Sequence, residues 1–112
     1  MTDTNQPHRP TKAEQQALVH QLVTKIDDQP DDYHAYYDLV VLLTVGQDFE
    51  QAEALAMKAL GKFATQQPAA DLLRYALGNV YYQAAAYDQA LPYYQQITDA
   101  PLKHYAYLTV GS

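Results

Sequence analysis

The chain has 112 residues, 48% of them hydrophobic, enough for one domain with a modest core and too apolar for wholesale disorder. Its formal net charge of -6 comes from 13 acidic and 7 scattered basic residues, which argues against phosphate backbones and anionic lipid surfaces as partners. Without cysteine there is neither a disulfide nor a thiolate metal site.

The longest apolar stretch, Leu39 to Val45, is too short to span a bilayer, and the polar start "MTDTNQPHRP" lacks the hydrophobic region of a signal peptide. The expected location is the cytoplasm. Residues 1–10, with Pro7 and Pro10, read as a flexible tail. The first helix is expected from Thr11, where "TKAE" has the form of a capping box closed by Glu14. Ala13, Ala17, Leu18, Leu22 and Ile26 recur at helical spacing and predict its buried face, with an end before Pro30. Next, "YYDLVVLLTV" lies between "PDD" and "GQD" and predicts a buried helix. Gly46 is expected to stop it and Asp48 to cap the following helix. A comparable break at "AAAYDQA" carries no glycine, and Asp88 is its expected cap.

An internal register organises these elements. From Pro30, Pro68 and Pro101, three residues on stand Tyr33, Asp71 and His104; six on, Tyr36, Arg74 and Tyr107; nine on, Leu39, Leu77 and Val110. The intervals of 38 and 33 residues bracket a helix-turn-helix period of about 34, the surplus falling near "KFATQ", where a helix is expected to be longer.

The segment "LGNVYYQAAAYDQALPYYQQI" resembles a tetratricopeptide repeat: Leu77, Gly78 and Tyr81 match its first helix, Ala90 and Tyr94 its second, and Pro101 its closing proline. Arg74 stands where that family prefers Trp. Tyr36, Leu39, Ala52 and Ala59 carry the likeness into the preceding unit. The resemblance implies an all-α, right-handed α-α superhelix of about five helices. Residues 11–29 would be a half-repeat or capping helix, 33–66 and 71–103 two repeats, and 104–112 the start of a truncated third. A short helix there is marginal alone. It implies either a longer array or docking of this end against another subunit, as in a homodimer.

In this family the first helix of each pair lines a concave groove. That places Tyr37, Asp38 and Val41 there from the first unit, and Tyr75, Asn79, Tyr82 and Gln83 from the second. Asn79 occupies a position at which many members hold a peptide backbone through the side-chain amide. Other members grip an acidic C-terminal tail with lysine, arginine and asparagine. Here Tyr37 and Tyr75 stand where a lysine could be, and Val41 replaces one asparagine. The implied partner is therefore a protein or peptide that is neutral, aromatic-compatible or weakly basic, not an acidic tail. The alternative is a structural or self-associating segment with no peptide ligand of its own.

No metal or cofactor is expected. The histidines His8, His20, His34 and His104 form no i, i+4 pair, and the acidic run Asp27, Asp28, Asp31, Asp32 lacks the glycine and distal glutamate of a calcium loop. With no phosphate loop, nucleophile elbow or thiol, the chain is not expected to be an enzyme.

Overall fold

The computed structural model describes residues 11–111. The tail expected over 1–10 lies outside the described residues, as does the side-chain register expected at Val110. Six α-helices, and no strand, make up the secondary structure of the described residues: α1 Lys12–Asp28, α2 Tyr33–Val45, α3 Phe49–Phe63, α4 Ala69–Gln83, α5 Tyr87–Gln95 and α6 Ala100–Gly111. The expectation of about five helices is corrected to six. The segment read as a truncated start is a helix of 12 residues, opening at Ala100 ahead of His104. Asp99 sets that start, its carboxylate accepting the Leu102 N–H at 2.9 Å.

The capping box forms as expected. Glu14 N–H donates to Thr11 Oγ1 and Thr11 N–H to Glu14 Oε1, each at 3.1 Å. The buried face of α1 differs from the expected one. Gln15, Val19, Leu22 and Ile26 are half-buried, whereas Ala13, Ala17 and Leu18 are exposed. The face belongs to whichever stripe meets α2, the one helix α1 packs on, and Gln15 anchors it there by donating from Nε2 to the Leu42 carbonyl at 2.8 Å.

Neighbouring helices pack in sequence, and α4 also packs on α2 and α6. One core cluster joins Leu39, Val40 and Leu43 of α2 to Leu77, Val80 and Tyr81 of α4, with Tyr94 of α5 and Ala106 of α6. A second joins Tyr36, Ala59, Phe63, Ala69 and Leu73. As the register predicts, α3 is longer than α5, 15 residues against 9. Pro92 lies inside α5, where it supplies no N–H to the preceding turn.

The turns after α2 and α4 close with the same hydrogen bonds. Gln47 N–H reaches Thr44 O at 3.0 Å and Asp48 N–H reaches Leu43 O at 2.9 Å; Ala85 N–H reaches Tyr82 O at 3.0 Å and Ala86 N–H reaches Tyr81 O at 2.8 Å. Both are Schellman closures. The left-handed residue in each is not glycine but Gln47 or Ala85, both at φ 63°. Gly46 has an ordinary φ of -76°. Its bareness serves a different purpose, because a Cβ there would overlap the Gln15 amide. The caps also differ from expectation. Asp48 holds the N-cap position of α3 without a side-chain cap, and Ala86 rather than Asp88 precedes α5. The closure onto Tyr81 starts that helix at Tyr87, leaving Asp88 in its first turn, where a carboxylate still favours the helix dipole.

Among the described residues, no helix is long and apolar enough to cross a membrane.

Candidate functional site

Between the C-terminal halves of α2 and α4 lies a groove of about 710 Å³. Val41, Thr44 and Val45 form one wall and Tyr75, Ala76, Asn79 and Gln83 the other, with Gln15, Gly46, Gln47 and Phe49 closing the end at the α2–α3 turn. None of these side chains is charged. Four carry amides, and its two valines, Val41 at 40% and Val45 at 63%, are exposed.

Four of the seven residues assigned to a groove from the resemblance meet here: Val41, Tyr75, Asn79 and Gln83. The other three are not in its lining. Tyr37 is half-buried beside Tyr75 and Tyr105; burial, then Tyr75, Asp38 and Tyr105, raise its hydroxyl pKa. Asp38 is exposed. Tyr82 is turned toward α5, its ring edge-on to Tyr87 with centroids 5.3 Å apart. Val45 and Thr44 went unassigned although they follow Val41 by helical steps of four and three, a signal available in the sequence. Gln15 gave no such signal, because its place depends on a contact 27 residues away.

The α4 wall is held from beneath. A Cβ on Gly78 would lie 2.8 Å from Tyr94 Cδ1 and overlap the neighbouring ring carbon, so the glycine is the notch through which Tyr94 packs. The Tyr94 hydroxyl donates a short hydrogen bond to Asn79 Oδ1. Burial, then Tyr75 and Tyr82, raise the Tyr94 pKa well above its ordinary value. Tyr75 lies between Tyr94 and Tyr105, with centroids 6.2 and 5.9 Å away.

Away from the groove, Asp71 is a buried carboxylate, 3% exposed. It accepts Thr98 N–H at 3.0 Å, Thr98 Oγ1 at 2.7 Å and Asp99 N–H at 2.9 Å, and pairs with Arg74 at 3.3 Å. Burial alone would raise its pKa, but the hydrogen bonds from Thr98, Asp99 and Gln67 outweigh it and lower it. This clamp ties the start of α4 to the α5–α6 link. A smaller cleft of about 230 Å³ at the α3–α4–α5 junction includes Glu53 and Tyr81. Among the described residues, no three histidine or acidic side chains gather as a metal site would require.

No protein-family model matches the chain, and neither a curated protein nor a solved structure matches it.

Proposed function

We propose that the chain is a tetratricopeptide-like superhelical interaction module whose α2–α4 groove binds an uncharged polypeptide segment. The observation that carries this reading is the groove's composition: exposed valines beside four side-chain amides, with no charge to demand an ionic ligand. Valines offer apolar contact, and amides satisfy a bound segment's polar groups without desolvating an ion. The helix order and the packing of α2 on α4 agree with the arrangement that the repeat resemblance implies. In this reading the protein acts as an adaptor in the cytoplasm and not as an enzyme.

Selection of random short peptides on the full chain tests it. Enriched peptides should be poor in charge, and Val41→Glu/Val45→Glu should abolish their binding while leaving helicity intact, since both valines are exposed. Peptides that bind the double variant equally well would place recognition outside the groove.

A second reading is self-association through α6, favoured by the exposure of Tyr105 at 59%, Tyr107 at 38% and Leu108 at 57%. Sedimentation at rising concentration separates the two. A dimer weakened by Tyr107→Lys supports self-association, and a monomer at every concentration removes it.

A further inference from the structure

The two best-anchored amides of the groove are held with opposite polarity. Gln15 donates one Nε2 hydrogen to the Leu42 carbonyl at 2.8 Å, which fixes the orientation of its amide and leaves Oε1 as its unengaged acceptor. Asn79 accepts the Tyr94 hydroxyl at Oδ1, which fixes the orientation of its amide and leaves the Nδ2 hydrogens as its unengaged donors. Both residues line the same cavity and both are half-buried rather than sealed. The anchors come from outside the lining. Leu42 O belongs to the backbone of α2, and Tyr94 reaches Asn79 past the bare Gly78.

Each anchor limits rotation of an amide that would otherwise present either end. The groove is thereby preorganised, with one fixed acceptor on its α1 side and one fixed donor on α4. A polypeptide main chain carries a donor and an acceptor on each residue other than proline, so it matches such a pair without regard to side chains.

We propose that Gln15 Oε1 is an acceptor subsite for a main-chain N–H of the bound segment, opposite the Asn79 donor, with Leu42 O and Tyr94 as the groups that set the two polarities. This rests on the groove reading above and deepens it. The ligand is an extended segment read by its backbone, so proline or an N-methylated residue is refused at the position facing Gln15. Tyr94 and Gly46 act as positioning residues, the first by turning Asn79 and the second by leaving room for the Gln15 amide.

The probe is a peptide enriched in the selection described above, remade as a series with each backbone nitrogen methylated in turn. One position should weaken binding to the wild-type chain by about tenfold, the order expected for a lost hydrogen bond. That same methyl group should have no further effect in Gln15→Met, which keeps the side chain's length and removes its acceptor. Gly46→Ala provides a remote check. Its backbone conformation suits alanine, so the fold should persist, its melting point falling only by the lost Gln15–Leu42 contact, while affinity falls about fivefold through displacement of the Gln15 amide. Tyr94→Phe should weaken binding by a similar factor, and the melt recorded beside it distinguishes loss of orientation from loss of fold. A methyl scan with no sensitive position, or with sensitivity unchanged in Gln15→Met, overturns the subsite while leaving the groove reading intact if Val41→Glu/Val45→Glu still abolishes binding. Failure of the selection to yield any groove-dependent peptide overturns both.

Discussion

The helix pairs α2–α3 and α4–α5 occupy the same register and close with the same turn, yet their interiors are built from different chemistry. Where the first pair has Tyr33 and Tyr36, edge-on to Phe63 at centroid distances of 6.1 and 5.6 Å, the second has Asp71 and Arg74. Where the first has Val40 and Ala56, the second has Gly78 and Tyr94, all of them buried. The large residue has moved from one helix to the other: a valine over an alanine becomes a glycine under a tyrosine. The bulk that one helix supplies in the first pair comes from its partner in the second, and Tyr94 packs into the notch that Gly78 leaves. The longer α3 has Phe63 to complete an aromatic cluster, whereas the shorter α5 leaves a gap that the α5–α6 link and its polar clamp fill.

Importing the first pair's residue into the second gives the largest expected effect. Gly78→Val leaves no room for the Tyr94 ring and should destabilise the chain by about 3 kcal/mol in urea denaturation. Adding Tyr94→Ala rebuilds the valine-over-alanine arrangement and should recover part of that loss. Strict additivity of the two changes would show that the sites do not exchange volume.

Next comes the polar clamp. Asp71→Asn should lose about 2 kcal/mol at neutral pH, since it weakens several charge-assisted hydrogen bonds. The folded-state pKa of Asp71 lies below its ordinary value of 3.8, so the unfolded chain binds more protons between the two. The clamp's contribution is therefore complete above the unfolded value and is lost as pH falls through the folded one. Acid titration of wild type should show this loss, and the Asn variant should not share it.

The turns give the smallest effect and the one of opposite sign. Gln47→Gly and Ala85→Gly each relieve a left-handed side-chain residue and should stabilise by about 1 kcal/mol, read as a higher Tm. Equal gains would show that the two closures carry equal strain; unequal gains would separate them energetically.

Features of short range were legible before the structure. The capping box of Thr11 and Glu14 and the helix between "PDD" and "GQD" each depend on residues within a few turns. The face of α1 was not legible, because its own apolar residues allow two neighbouring stripes and α2 decides between them. The turn after α4 was misread for another reason: composition suggests a cap at Asp88, whereas the backbone closure onto Tyr81 determines where α5 begins. In the candidate site, the repeat resemblance pointed to Val41, Tyr75, Asn79 and Gln83. It did not point to Gln15, which is brought in by a hydrogen bond spanning 27 residues, and the Asp71–Thr98 clamp spans as many.

That clamp also bears on how α6 comes away. A helix would ordinarily fray residue by residue from its end, each step exposing a little more surface. Here any opening at the α5–α6 link that frees Thr98 and Asp99 strips a buried carboxylate of three of its donors. Opening at the α5–α6 link is therefore tied to disruption at the start of α4. The amides of Thr98 and Asp99, although they sit in a link between helices, should exchange with solvent as slowly as those of the helix they guard.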